Sequence, residues 1–384
     1  MGKRRPSGDG LVRKRADGRW EGRIVVGHKE DGKPIYRSVF AEKQSDLMPK
    51  LHELKDQYAG VELTEDSSIT LGEWLGRWLE EYKKPTLRPS TFAGYSKDIA
   101  NHILPYLGSK RLTQLKTADI QKHYNRLLES GRMKDNGKGR GLSNATVRGI
   151  HMVLREALDS AVREGLIPKN PADGTSPPKI YRSEKQVLTK DQLETFMKLI
   201  EGDEEWYDFF YTEIITGMRQ GEICGLRWED FDREKRTLRV ARSVDFVNKE
   251  LVIGETKTED GKRTIYLPDS LWHILAERQR QKGAFSDWIF PNLLKPEWPL
   301  NPSRAYRQLK KLLEIGGLPS IRFHDLRHSY AVVSIKSGDD IKTVQENLGH
   351  ATAAFTLDVY GHVTQKMKQD SADRMGRFIR SVSA

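Results

Sequence analysis

The 384-residue chain predicts a multidomain α+β protein: a small three-stranded sheet plus helix, a four-helix domain, then a mostly α domain interrupted by a small antiparallel sheet. Three observations predict it. Two hairpin signals, Asp17-Gly18 and Asp31-Gly32, punctuate the first 60 residues. From Leu71 onward the apolar residues recur at helical spacing. Pro171, Pro177 and Pro178 then interrupt the chain, because proline lacks the amide donor that continues a helix. The length suits two or three domains. The boundaries are expected at 1–62, 63–170, a linker at 171–185, and 186–384.

The hairpin signals separate strands predicted at 10–15, 19–27 and 34–40. In the middle strand Trp20, Gly22, Ile24 and Val26 alternate with Glu21, Arg23 and Val25, the pattern of a strand with one packed face. A helix over about residues 42–58, ending before Gly60, would supply the packing. After a polar stretch at 62–68, Thr70 and Glu73 form a capping box ahead of Leu71, Trp74, Leu75, Trp78, Leu79 and Tyr82. The tryptophan stripe is a core face. Ser90 starts a second helix, Thr117 caps a third that ends at Gly131, and residues 144–164 form a fourth stopped by Gly165. The glycine-rich basic loop 132–141 is too irregular to be a nucleotide phosphate loop. In the last domain Thr189 and Gln192 cap the first helix. One sheet is expected there from about 237–243, 250–254 and 262–267, with Asp260-Gly261 as a hairpin turn that holds Lys257 near its tip.

Composition points toward a polyanionic partner. The chain carries 65 Lys+Arg against 54 Asp+Glu, a formal charge of +11, and counterion release draws such a protein to nucleic acid. Residues 1–60 hold 14 basic and nine acidic side chains, nearly half of that excess. The single cysteine, Cys224, excludes an internal disulfide and suits a reducing compartment. No apolar run is long enough to span a bilayer, and the basic N-terminus leads into no signal-peptide core. A soluble, cytoplasmic, nucleoid-associated protein is expected.

Five stretches carry chemistry: Thr216-Gly217-Met218-Arg219-Gln220-Gly221-Glu222, Thr256-Lys257-Thr258, His324-Asp325-Leu326-Arg327-His328, Leu348-Gly349-His350 and Val359-Tyr360-Gly361-His362. Together they supply what is needed to grip a phosphodiester and attack its phosphorus. Charge on the non-bridging oxygens must be met by fixed donors, and the planar arginine fork gives two parallel bonds to one phosphate. Arg219 and Arg327 fit that role. Lys257 suits the acid that protonates a departing sugar oxygen, with Lys262 on the far side of the same turn as its rival. His324 fits a proton acceptor, His350 a donor to phosphate, and Tyr360 a nucleophile that conserves bond energy in a phosphoester. Glu222 either helps hold Arg219 or is an ordinary acid of a helix's first turn. His328 lies four residues after His324, but Asp325-Leu326-Arg327 lacks the glutamate of a zinc helix and adds a cation. No metal site and no cofactor are expected.

In order and spacing this set resembles the tyrosine recombinases, in particular the integrases of phages and integrative conjugative elements. Residues 216–228 resemble the helix of the first arginine, and Thr256-Lys257-Thr258 followed by Arg263-Thr264-Ile265-Tyr266-Leu267-Pro268 resembles the lysine hairpin. The family's His-x-x-Arg falls on His324 and Arg327, its Leu-Gly-His on Leu348, Gly349 and His350, and its nucleophile on Tyr360. Phe355 before Thr356 departs from the paired threonines common there.

The resemblance implies conservative site-specific recombination of double-stranded DNA through a 3′-phosphotyrosine, with a homotetramer on the DNA and core and arm attachment sites as substrates. An excisionase or host DNA-bending protein is a further partner that the sequence leaves open. Residues 1–62 resemble an arm-binding domain, with Arg13, Arg15, Arg19, Arg23 and Arg37 as candidate DNA contacts. The four helices resemble a core-binding domain, whose Lys97, Lys110, Arg111, Lys122, Arg148 and Arg155 would face phosphates. Residues 364–384 form a helix for docking on a neighbouring copy or on its own domain. Alternatives are a chromosome-dimer-resolving recombinase, a type IB topoisomerase, and a non-catalytic architectural DNA-binding protein. The basic first domain favours an integrase that inserts and excises a mobile element.

Overall fold

Asp-Gly turns set the first layer of the chain. Gly18 and Gly32 take φ of 83° and 78°, a backbone that glycine adopts without strain, and each closes a hairpin of an antiparallel sheet. The computed structural model describes residues 10–29, 31–59, 69–133, 137, 139–181, 187–203, 206–256, 261–349 and 365–382. The chain divides into two units, 1–182 and 183–384.

In the first unit β1 (Leu11–Lys14), β2 (Trp20–His28) and β3 (Pro34–Ala41) lie in the order β1-β2-β3. Helix α1 (Gln44–Gln57) packs on one face through Leu47 and Leu51. The helix packs closely over Gly22: a Cβ there would lie 3.1 Å from Leu51 Cδ1. The alternation read from β2 therefore holds, with Ile24 and Val26 buried against α1 and Val25 exposed. Glu21, on the opposite face, is also buried, because Arg13 Nε and Ser38 Oγ donate to its two oxygens at 2.8 and 3.2 Å.

The helical part begins at α2 (Leu71–Arg77), whose Thr70–Glu73 capping box forms as expected. Wider π-type turns (Trp78–Lys83) continue it. Trp74 and Trp78 are fully buried, and their indole N–H groups donate to Ala157 O at 2.8 Å and Ser160 Oγ at 3.1 Å. Helix α3 (Pro89–Asp98) starts one residue before the expected Ser90, because Pro89 fits the first helical position, where its missing N–H costs nothing. It runs through π-type turns (Ile99–Ile103) into α4 (Leu104–Leu107). Helix α5 (Thr117–Ser130) is capped at Lys116, not at Thr117: Asp119 accepts the Lys116 N–H at 3.1 Å. The Thr117 hydroxyl instead donates to Pro171 O at 2.8 Å. Helix α6 (Asn144–Arg163) supplies the facing half of the core. The proline stretch runs along this unit, with Asn144 Nδ2 donating to Lys179 O at 2.9 Å and Ser176 N to Gln121 Oε1 at 2.8 Å.

In the second unit α7 (Lys190–Glu201) and α8 (Tyr207–Thr216) lead to the short α9 (Gln220–Cys224). The single sheet expected from the sequence is two sheets. One is β4 (Phe231–Asp232), β5 (Thr237–Val240) and β8 (Arg263–Tyr266); the other is a hairpin of β6 (Arg242–Val247) and β7 (Glu250–Glu255). The run 237–243 splits because its parts pair differently, β5 with β8 and β6 with β7. β7 pairs with β6 and β8 with β5, so the two strands expected to flank the Asp260-Gly261 turn are not paired with each other; Lys257 itself lies outside the described residues. Helix α10 (Asp269–Lys282), the pair β9 (Pro291–Asn292) and β10 (Lys295–Pro299), then α11 (Pro302–Ile315), α12 (Phe323–Ser337), α13 (Ile341–Leu348) and α14 (Gln365–Val382) complete it. Phe209, Phe210 and Phe323 meet edge to face or tilted in its core. Met375, Phe378, Ile379 and Val382 of α14 are exposed. No described helix is long and apolar enough to cross a membrane.

Truncating Trp74 removes a fully buried indole and its bond to Ala157 O. Trp74→Ala is expected to cost the helical domain about 3–5 kcal/mol, measurable as a lower urea midpoint followed by tryptophan fluorescence.

Candidate active site

Arg219 is placed by the way α8 ends. Gly217 terminates that helix in the left-handed region, φ 60°, and a Cβ there would lie 2.5 Å from Tyr330 Cδ1. No other residue fits. Two residues on, Arg219 is the extended N-cap of α9. Gly221 lets α9 lie on β6, since a Cβ would come within 2.6 Å of Val244 O. Glu222, one turn into α9, accepts Arg219 N at 3.1 Å and Arg219 Nη1 at 2.6 Å. The side chain of Glu222 is 2% exposed against 26% for Arg219, so Glu222 anchors an arginine that still reaches solvent.

Helix α12 brings His324 and Arg327 to the same place. Asp325 accepts the Arg322 amide at 2.8 Å and so opens the helix. Arg327 is buried, donating from Nη1 to Gly217 O at 2.9 Å and from Nη2 to Leu348 O at 2.5 Å. Arg219 Nη2 reaches Gly349 O at 3.0 Å, and Arg263 Nε reaches Asn347 O at 2.6 Å. Three guanidiniums thus bind three successive carbonyls at the end of α13. A helix leaves its last carbonyls unpaired and negative, and Gly349, at φ 61°, turns the chain so that they point at the arginines.

The charges follow from this packing. Burial works to raise the Glu222 carboxyl, but Arg263, Arg219 and Arg327 outweigh it and hold the pKa below the usual carboxylate range. His324 moves the other way: burial first, then His328, Arg327 and Arg219, push its pKa down to about 3. Its ring is neutral near pH 7. The rings of His324 and His328 meet edge to face at 4.6 Å. Glu213 of α8 is fully buried, and neither oxygen has a hydrogen-bond partner among the described residues. Burial raises its pKa well above the ordinary value, opposed by the charge of Arg327.

Of the residues singled out in the sequence, Arg219, Glu222, His324 and Arg327 come together here. Lys257, His350 and Tyr360 lie outside the described residues. Lys262 pairs with Glu255 at 3.0 Å, both largely exposed, a contact worth little. Arg263, quoted only as part of a motif, and Glu213 were missed; a lone arginine opening a strand and an acid inside an apolar helix carry no signal of what they will face. In the first domain Arg13 and Arg23 share the sheet face away from α1, where Arg23 lies 4.0 Å from the Tyr36 ring. Arg15 and Arg19 flank the first turn near Asp17. Arg37 pairs with Ile24 in register and so sits on the other face. Among the helical-domain candidates, Lys110 is paired with Asp119 at 2.7 Å and Arg155 with Asp173 at 2.8 Å.

Comparison with known proteins places this arrangement. The phage integrase family model matches residues 186–367, and the model of the phage integrase N-terminal SAM-like domain matches residues 70–128. A tyrosine recombinase XerC-like protein of Caldanaerobacter subterraneus is 27% identical over 379 residues, covering 92% of this chain and 94% of that protein. The ICEBs1 integrase of Bacillus subtilis is 27% identical over 305 residues, covering 75% and 78%. Among solved structures, the Tn1549 transposon integrase in complex with a circular intermediate DNA superposes with a TM-score of 0.67 at 21% identity, over 80% of this chain and all of that one. A lambda integrase tetramer bound to a Holliday junction gives 0.58 at 20% identity, over 91% and 97%. The chain belongs to the phage integrase family. It is an enzyme of the tyrosine recombinase class.

Two outcomes test these electrostatics. The His324 ring is expected to stay neutral in an NMR titration from pH 8 to about pH 5, given its pKa of about 3. Since an unfolded histidine protonates near pH 6.5, this group's stabilisation is lost as pH falls below about 6.5. Glu213 has the opposite sign: the folded state keeps a proton that the unfolded chain releases, so its contribution is lost as pH rises above the ordinary value of 4.5. Glu213→Gln is expected to raise the melting temperature at pH 7.5, with a gain that vanishes near pH 4.5; no gain would show the carboxyl to be ionised and paired.

Proposed function

We propose that this protein is the integrase of a mobile element, cutting and rejoining double-stranded DNA through a 3′-phosphotyrosine on Tyr360. The observation that carries the reading is the cluster of Arg219, Arg327 and neutral His324 around the end of α13. Arg219 and Arg327 would hold the non-bridging oxygens of the scissile phosphate, where charge grows in the transition state. His324, uncharged, would take the phenolic proton as the Tyr360 oxygen attacks phosphorus. Lys257 would protonate the departing 5′-oxygen and His350 donate to a phosphate oxygen. The phosphotyrosine keeps the energy of the broken ester, so the 5′-hydroxyl of a partner duplex can reverse the step without an external energy source.

The domain assignment is part of this reading: an arm-binding sheet at 1–62, a core-binding helical domain at 63–170, a linker at 171–185 and the catalytic domain at 186–384. The outer sheet face, with Arg13 and with Arg23 over the Tyr36 ring, supports contact with an arm-type duplex. Assembly follows by analogy with the lambda integrase tetramer seen on a Holliday junction, so four copies would act on two paired sites. That analogy does not extend to an excisionase or a host bending protein, for which no feature of the chain argues. The basic first domain favours the integrase over a chromosome-dimer-resolving recombinase or a topoisomerase.

Incubation with a duplex nicked near the crossover point is expected to trap a covalent protein–DNA adduct in the presence of EDTA. Tyr360→Phe abolishes the adduct while DNA binding persists, and Arg219→Ala slows it by roughly 10²–10³. An adduct with Tyr360→Phe would assign the nucleophile elsewhere. For the arm domain, Arg23→Ala is expected to weaken arm-site binding and lower the salt slope of log K by about 1; an unchanged slope would remove it from the phosphate contacts.

A further inference from the structure

The site holds a third guanidinium whose role the reaction as proposed does not use. Arg263 opens β8, and its side chain is 7% exposed. All three of its nitrogens are engaged: Nε donates to Asn347 O at 2.6 Å, Nη1 to Gly261 O at 3.1 Å and Nη2 to Glu222 Oε2 at 3.0 Å. All three nitrogens are bonded to the protein, so the contacts seen assign Arg263 to holding the site together. What it joins is informative. Glu222 is the carboxylate that orients Arg219, and Asn347 O belongs to the last turn of α13, immediately before the Leu348 and Gly349 carbonyls bound by Arg327 and Arg219. Gly261 lies against Thr256, since a Cβ on it would be 2.7 Å from the Thr256 Cβ. One buried cation therefore ties β8, α9 and the end of α13 together.

We propose that Arg263 is a positioning residue for DNA cleavage: it fixes Glu222 and the end of α13, and through them the guanidinium of Arg219, in the geometry that the scissile phosphate meets. This rests on the recombinase reading of Arg219 and Tyr360. The carboxylate at the centre also makes the role measurable by pH. Glu222 is faced by Arg219 on its own helix, Arg263 from β8 and Arg327 from α12, and these cations hold it ionised against burial. Removing Arg263 takes away the largest of the three, so the Glu222 carboxyl moves up and protonates at higher pH. Protonation then frees Arg219, and cleavage fails from the acid side first.

The test uses the full chain and a nicked suicide duplex, with wild type, Arg263→Lys, Arg263→Ala and Arg219→Ala compared. Adduct formation is timed at saturating DNA across pH, and duplex affinity and melting temperature are recorded for each. Arg263→Ala is expected to lower the cleavage rate constant by about 10- to 100-fold, the scale of loss when a reacting group is misplaced by an ångström. Duplex affinity should change less than about threefold, since Arg263 is not assigned a phosphate. The acid limb of the pH–rate profile should move to higher pH, and added guanidinium salt should restore part of the rate at matched ionic strength. Arg263→Lys, which keeps the charge and loses the three-way fork, should fall between the two and melt like wild type. A Lys variant that melts normally and cleaves at the wild-type rate with an unshifted profile overturns the proposal. So does a loss in Arg263→Ala that is equal at every pH and unresponsive to guanidinium. Should wild type form no adduct, or Arg219→Ala cleave as wild type, it is the recombinase reading that fails.

Discussion

The end of α13 is the constraint on which the catalytic unit depends. Its last carbonyls, at Asn347, Leu348 and Gly349, are groups a helix cannot satisfy internally, and each is bonded by an arginine from a different element, β8, α12 and α9. Burying that many like charges together is costly unless each finds an acceptor. The carbonyls and Glu222 supply the acceptors, so the cluster is tolerable only when all the elements are in register. A shift of α13 by one residue would strand several cations at once. The same geometry that makes the helix end stable makes it a place where positive charge is held ready.

Electrostatic consequences spread from that cluster. A concentration of guanidiniums disfavours further positive charge, which contributes to keeping the His324 ring neutral. The same cations hold the Glu222 carboxyl below the usual range, whereas burial pushes that of Glu213, which has no hydrogen-bond partner among the described residues, well above it. Two glutamates nine residues apart are therefore shifted in opposite directions. The difference comes from whether an arginine fork is within hydrogen-bonding reach.

Local rules were legible wherever the signal lay in a few neighbouring residues. The Asp17-Gly18 and Asp31-Gly32 turns, the Thr70 and Thr189 capping boxes and the buried tryptophan stripe form as read. Reading failed where a residue answered to something distant. Thr117 gave up its cap because its hydroxyl reaches Pro171 O. The run 237–243 broke in two because its halves pair with different strands.

The order and spacing of Arg219, Lys257, His324, Arg327, His350 and Tyr360 pointed to phosphoryl transfer and to the family, because that chemistry restricts which side chains can serve and the motifs keep them in sequence. The tertiary structure alone decided how the arginines divide their work. Arg219 and Arg263 are equally basic on paper; one keeps a partly exposed side chain while the other is spent on three internal acceptors. Hydrogen-bond partners across β8, α9 and α13 are set by packing between segments far apart in the chain, and no local pattern encodes them.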